Sequence, residues 1–333
     1  MKPGFSAYHA GSWSAHRPSH ELEMVRGALW TPCGQDSEFG LLESVLLYHP
    51  ALTAPRISSP ERVQHLRAID WSLFRKQARQ LAKTFQQLGV RVEYLRAAAF
   101  PGTRPNLMFT RDLFFPTPWG AVLARMAGPV RAGEEKWAQL ALAEAGIPLL
   151  GAIRGRGTFE GADALWLTPR LVLVGVGNRT NREGFRQLKA VLAEFGVAVR
   201  QVPLPKKVQH LLGMLQLPGP RLALLRGEIA DDSLSAFLRR RGFRICLVPE
   251  SQEVTERQAM NVVVLGENRV LMPKGCPDFR AQIERAGVTV AAEAEIGQYL
   301  NAAGGIACAT GILHRLPGKS KAKAGKKKWK TRR

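Results

Sequence analysis

One phrase recurs five times in the sequence and limits what the chain can fold into. An apolar helix end is followed by a glycine and then by a short apolar or β-branched strand. It reads Leu88-Gly89-Val90-Arg91-Val92, Ala145-Gly146-Ile147-Pro148-Leu149, Phe195-Gly196-Val197-Ala198-Val199, Arg241-Gly242-Phe243-Arg244-Ile245 and Ala286-Gly287-Val288-Thr289-Val290. Glycine accepts the left-handed conformation that ends a helix, so each one marks a stop. Before Gly196, residues Phe185, Leu188, Val191, Leu192 and Phe195 share one helical face. Before Gly89, residues Phe74, Ala78, Leu81, Ala82, Phe85 and Leu88 do the same. An apolar, strand-like run precedes each helix, at 45–47, 122–124, 171–174, 222–225 and 270–272. The unit is strand, helix, glycine, strand, and successive glycines stand 45 to 57 residues apart.

A doubly wound open sheet also alternates strands and helices. Against it, no glycine-rich phosphate loop joins the early strands to their helices. Five similar units favour a ring, because closure removes exposed strand edges. The sequence therefore predicts an α/β fold built as a five-fold ring over 41–315, with a leader over 1–40 and a basic tail over 316–333.

Lys and Arg number 48 against 27 Asp and Glu, a formal charge of +21. Nine of the basic residues follow residue 315 with no acid among them, leaving +12 for the rest. Such a body favours anionic neighbours without choosing between small molecules, nucleic acid and phospholipid. The tail lacks apolar periodicity and reads as disordered. It serves either solubility or the binding of a polyanion, nucleic acid or acidic membrane, with Trp329 available to stack or insert. The first twenty residues hold no signal-peptide core, and no run reaches the roughly 18 apolar residues of a membrane span. Cys33, Cys246, Cys276 and Cys308 stand singly, without the close pairs of a zinc site. The simplest reading is a cytoplasmic protein with reduced thiols.

The connection after each second strand holds the chemically interesting residues. The first contains Asn106-Leu107-Met108-Phe109-Thr110-Arg111-Asp112, and the second Thr158-Phe159-Glu160-Gly161-Ala162-Asp163. The third contains Gln209-His210-Leu211, the fourth Met260-Asn261, and the fifth Gly304-Gly305-Ile306-Ala307-Cys308-Ala309-Thr310. In a five-unit ring these segments meet at one end of the pseudo-symmetry axis. An Asp, a Glu, a His, an Asn and a Cys then converge. Singly, each has a structural reading: a core thiol, a satisfied histidine, a polar turn, an ion pair. Repetition at one place in the unit is what favours a site.

These residues resemble the guanidino-group modifying enzymes, or penteins, which include arginine deiminases, dimethylarginine dimethylaminohydrolases and amidinotransferases. The resemblance rests on the PNLMFTRD run ending at Asp112, the FEGAD run, the GNRTN run at 177–181, His210 and the GGIACATG run around Cys308. It starts at Asp36-Ser37-Glu38-Phe39-Gly40 and covers nearly all of the chain. It implies a five-bladed α/β propeller, a small-molecule guanidino substrate and no metal or organic cofactor; the family also suggests a homodimer. By the same resemblance Cys308 is the nucleophile, His210 the acid and base, and Glu160 a guanidinium partner that orients His210. Asp112 grips the guanidinium, Asp163 helps hold its turn, Arg179 and Arg125 take a substrate carboxylate, and Asn106 lines the pocket.

A guanidinium is planar and always charged, so a site acting on it needs carboxylates and a strong nucleophile. The product of such a hydrolase is of citrulline type. One departure matters: arginine deiminases and amidinotransferases carry an Asp two residues after this histidine, and here that place is Leu212. The dimethylarginine hydrolases also lack it, so Leu212 favours a substituted guanidine. Ala162 stands where a second glycine is usual. Amidino transfer to an amine acceptor, and a non-catalytic ring that binds nucleic acid, are the alternatives.

Overall fold

The computed structural model describes residues 17–50, 57–96 and 104–317. Apart from Leu316 and Pro317, the basic tail with its Trp329 lies outside the described residues. A short helix, α1 (His20–Arg26), precedes β1 (Leu42–Tyr48), α2 (Trp71–Gln87) and β2 (Arg91–Leu95). The second unit is β3 (Phe114–Thr117), β4 (Gly120–Leu123), α3 (Glu135–Glu144) and β5 (Leu149–Ala152). The third is β6 (Ala164–Thr168), β7 (Leu171–Val176), α4 (Arg182–Ala193) and β8 (Ala198–Pro203). The fourth is β9 (Leu215–Gly219), β10 (Leu222–Arg226), α5 (Asp232–Arg240) and β11 (Arg244–Val248), followed by α6 (Gln252–Thr255). The fifth is β12 (Val263–Gly266), β13 (Arg269–Pro273), α7 (Pro277–Arg285) and β14 (Thr289–Ala294). After α8 (Gly297–Asn301) comes β15 (Gly311–Arg315), which returns to the first unit.

The strands form five three-stranded sheets, ordered β15-β1-β2, β3-β4-β5, β6-β7-β8, β9-β10-β11 and β12-β13-β14. In each, the middle strand runs antiparallel to the first and parallel to the third. The sequence unit had two strands; each blade has three. The missed strand comes first in its sheet and is short, and β3 and β9 each contain a proline that masks the strand signal. In the first blade it is supplied by β15, a pairing between the two ends of the fold that no local pattern reveals.

Burial shows how the blades stand. β3, β9 and β12 are buried along their whole length, whereas β5, β8 and β11 are largely exposed or half-exposed. The first strands therefore face the axis and the third strands the rim. A helix packs beside each sheet through its apolar face, as α2 does with Phe74, Leu81 and Phe85. Asp70 caps α2 by accepting from the backbone N–H of Ser72 and Leu73, and Gly89 follows with φ +81°. Gly146 repeats this conformation at φ +71°, where a Cβ would sit 2.6 Å from Thr31 Oγ1.

Residues expected in the leader reach the interior. Glu38 is buried; its Oε2 accepts from Arg111 Nη2 at 3.2 Å and its Oε1 from the Trp166 backbone N–H at 3.0 Å. No helix among the described residues is long and apolar enough to cross a membrane.

Candidate active site

Three connections end in a single 3-10 turn just before the axial strand of a blade: Thr110–Asp112, Gly161–Asp163 and Leu211–Gly213. Glu160 and His210 precede the second and third turns, while Asp112 closes the first. These turns and the loops around Asn261 and Cys308 surround a cavity of about 270 Å³ at one end of the axis.

His210 and Glu160 form a buried pair, with Nε2 donating to Glu160 Oε2 at 2.7 Å. Glu160 Oε1 accepts from the backbone N–H of Ala127 at 3.2 Å, so both of its oxygens are used inside the protein. Burial works against charge on His210, but Asp112, Glu160 and Asp163 outweigh it and raise its pKa to about 9. Burial alone would raise Glu160; the hydrogen bond and charge of His210, with Arg131 behind it, hold it well below the usual carboxylate range. The pair is an imidazolium–carboxylate ion pair.

Asp112 Oδ2 accepts from Arg131 Nη1 at 2.6 Å, and Arg131 Nε binds Glu134 Oε2 at 2.8 Å. Asp112 Oδ1 is buried without a hydrogen-bond partner; His210 Nδ1 is 3.9 Å away. A buried carboxylate oxygen left unmatched costs about 1–3 kcal/mol or more, so this atom is a place for a donor from outside the chain.

Cys308 lines the cavity and is partly accessible. Asn261 Nδ2 lies 3.1 Å from its Sγ, while Asn261 Oδ1 accepts from the backbone N–H of Ala307 at 2.7 Å and of Cys308 at 3.3 Å. Gly304 and Gly305 make this possible: a Cβ on Gly304 would collide with the Phe109 ring, and one on Gly305 would lie 2.6 Å from Asn261. Burial and then the charge of Asp112 raise the Cys308 thiol to about 11, against the smaller pull of Gly305, Asn261 and Arg131. These surroundings favour the thiol over the thiolate.

Not every residue chosen from sequence reaches the cavity. Asp112, His210, Cys308, Asn106 and Arg179 line it, and Glu160 stands directly behind His210. Asp163 turns away, with Oδ2 accepting from Thr180 Oγ1 at 2.6 Å and Oδ1 from the Leu211 N–H at 3.0 Å. Arg125 is also absent from the lining; it bridges to Phe159 through its backbone and its Nη1 donates to the Gly157 carbonyl at 3.1 Å. The arginine that this stretch does present to the cavity is Arg131. Its one sequence signal was the three-residue spacing to Glu134. Gln64 and His65, which follow a 3-10 turn between β1 and α2, carry no sequence signal of their own. Gln64 lines the cavity and accepts from Arg179 Nη2 at 3.3 Å, and His65 bonds Asn106 Oδ1 at 3.0 Å.

Asp112, Glu160 and His210 bring possible ligand atoms within 4.8 Å of one another. Two of those atoms already serve the His210–Glu160 hydrogen bond, which a metal ion would have to displace. Leu212, Phe109, Val254 and Met260 give the cavity an apolar flank, and Arg179 and Lys207 a basic one.

Residues 102–209 match the arginine deiminase family model. An uncharacterized protein of Aeropyrum pernix is 35% identical over 56% of this chain, and the chain spans 65% of that protein's length. The N(G),N(G)-dimethylarginine dimethylaminohydrolase of Pseudomonas aeruginosa is 28% identical over 61% of this chain and 75% of its own. The solved structure of the Pseudomonas aeruginosa dimethylarginine dimethylaminohydrolase complexed with citrulline aligns over 83% of this chain and 100% of its own, with TM-score 0.64 and 24% identity. The amidinotransferase SxtG of Microseira wollei aligns over 85% of this chain and 97% of its own, with TM-score 0.71 and 18% identity. Five α/β blades, an arginine deiminase model matched across the second and third of them, and these relatives make this chain similar to the pentein superfamily.

Proposed function

We propose that this chain, with the ring over 41–315 as one catalytic unit, hydrolyses a substituted guanidine of dimethylarginine type to a ureido product and an amine. The observation that carries the reading is the unpartnered Asp112 Oδ1, which shares one cavity with the Cys308 thiol and a charged His210. A guanidinium donating to that oxygen offsets the charge that holds the thiol protonated, and so favours the thiolate. The thiol releases its proton to solvent and the Cys308 sulfur bonds the central carbon. His210 gives its proton to the departing amine nitrogen as the C–N bond breaks, leaving an amidino-thioether. Neutral His210 next takes a proton from water, whose oxygen attacks the same carbon, and the C–S bond breaks.

Glu160 keeps His210 charged and fixed. Arg179 and Lys207 suit a carboxylate at the far end of the substrate. The apolar flank with Leu212 suits alkyl groups on the leaving nitrogen, in keeping with the name of the Pseudomonas aeruginosa relative. Cys308→Ser is expected to abolish turnover of dimethylarginine with the fold retained, and mass spectrometry to find a substrate adduct on Cys308 in the parent. Activity surviving that change, or an adduct on Cys33, Cys246 or Cys276, would sink the mechanism. Ureido product formed without an added amine separates hydrolysis from transfer.

A further inference from the structure

We propose that an arginine cluster at the end of the ring opposite the cavity, made of Arg200, Arg221, Arg239, Arg240, Arg241 and Arg244, is a docking surface for the phosphate backbone of a nucleic acid. All six are exposed. They are also close together. Arg200 and Arg241 both sit over the ring of Phe237, with Cζ 3.9 and 5.2 Å from its centroid. Arg221 Nη1 lies 3.9 Å from where a Cβ of Gly242 would be, and the backbone N–H of Arg244 donates to the Arg221 carbonyl at 2.8 Å. Arg239 and Arg240 fill the last turn of α5.

The fold pairs none of these charges with an acid, although Arg244 Nη2 donates to the Ala286 carbonyl. The ion pairs among the described residues leave all six out, while Arg226, Arg186 and Arg280 are paired. A helix C-terminus carries about half a negative charge, which complements one arginine and not six. Of the acids of this blade, Asp232 lies at the start of α5 and Glu250 beyond β11 pairs with Arg226; Asp231 shares a small cleft with Arg200 without an ion pair to it.

Topology fixes the location. β10 and β11 run parallel from Leu222 and Arg244 to Arg226 and Val248, and Arg226 lines the cavity. Arg221 and Arg244 therefore stand at the far end. β15 runs antiparallel to β1, with Arg315 opposite Leu42, so Leu316 and Pro317, the last described residues, stand at that same end. The chemistry favours nucleic acid over an anionic membrane. The six are all arginine, whose planar fork matches phosphate in a bidentate way. The large apolar side chains here, Phe237 and Phe243, are buried beneath them and offer nothing to insert among acyl chains.

The test is fluorescence anisotropy of labelled 20-nucleotide RNA and DNA with the full-length chain, over a salt series. Changing Arg239, Arg240 and Arg241 together to Ala is expected to weaken binding about tenfold or more, and to lower the slope of log K against log salt by about 2, since each lost phosphate contact removes ~0.7–0.9. Turnover of the guanidine by this variant should match the parent, which controls for folding. A full-length chain with its seven tail lysines changed to Gln should keep an arginine-dependent share of the binding. Unchanged affinity and slope in the arginine variant, with all binding lost in the tail variant, would place the interaction in the tail alone and overturn the proposal. Arginine-dependent capture of phosphatidylserine vesicles without nucleic-acid binding would overturn it as well.

Discussion

Two turns of the ring, Thr110–Asp112 and Gly161–Asp163, follow consecutive blades and carry an aspartate at the same third position. Both aspartates are buried, yet their surroundings differ. Asp163 has each oxygen matched by a donor of the fold, Thr180 Oγ1 and the Leu211 N–H. Asp112 has one oxygen clamped by Arg131 and the other unmatched beside the cavity. The repeat decides where the acid stands, and the neighbours decide whether it is spent on the fold or kept for a ligand. Asp163 fastens the loop that carries His210, because its Leu211 bond lies one residue past the imidazole. Asp112 is left with one acceptor for a ligand.

Removing the two charges separately gives the largest contrast. Asp112→Asn is expected to lower kcat/KM on the order of 100-fold or more, since losing the charged partner of a buried cation costs about 2–5 kcal/mol of binding. Its melting temperature should also fall, because Arg131 loses one of its buried carboxylate partners while keeping Glu134. Asp163→Asn should lower stability by about 1–3 kcal/mol as one buried donor loses its acceptor, with kcat/KM reduced far less. Thermal melts and steady-state kinetics on both variants check this. A catalytic collapse confined to Asp163→Asn would mean that the roles are exchanged.

The five helix-ending glycines and the middle strands were legible because short, local patterns recur. The convergence of Asp112, Glu160, His210, Asn261 and Cys308 on one end was legible for the same reason: a ring turns equal sequence position into spatial proximity. What the repeat could not supply is side-chain direction. Asp163 shares its repeat position with Asp112 and Arg125 follows the end of a middle strand, and each instead serves a neighbouring loop. Arg131, Gln64 and His65 lie in or beside short 3-10 turns between a middle strand and its helix, a place outside the connections singled out in the sequence. The β15–β1 pairing joins residues more than 250 positions apart along the sequence, beyond the reach of any local signal.

An intermediate effect is expected from Glu160, the acid that reaches the site only through His210. In the parent, His210 stays charged until pH passes about 9. Glu160→Gln removes one cause of that rise, so the alkaline limb of kcat/KM should move to lower pH. Stability carries the matching sign. His210 is raised from 6.5, so its contribution is complete below that value and is lost as pH climbs through about 9. Glu160 is lowered from 4.5, so its contribution is complete above that value and is lost as pH falls through about 2. Melting temperature should therefore be highest near pH 4.5–6.5 as far as this pair is concerned, and the Gln variant should flatten both flanks. An unmoved alkaline limb would show that Glu160 does not govern the proton on His210.

The smallest expected difference separates two arginines that looked alike in sequence. Arg179 lines the cavity and its Nη2 is held by Gln64 on the opposite rim, which leaves the guanidinium turned toward a ligand's far end. Arg125 spends its Nη1 on the Gly157 carbonyl, inside the loop that leads to Glu160. Arg179→Met should raise KM for dimethylarginine about tenfold with kcat nearly unchanged, since a charge-assisted hydrogen bond to a carboxylate is worth about 1.5–3 kcal/mol and is made equally in ground and transition states. The same change should matter little for an alkylguanidine without a carboxylate. Arg125→Met should change both constants by less than about threefold for either substrate, its effect being a looser 157–160 loop. A carboxylate-dependent rise in KM for Arg125→Met, larger than that for Arg179→Met, would show that substrate entry draws Arg125 out of its loop and into the cavity.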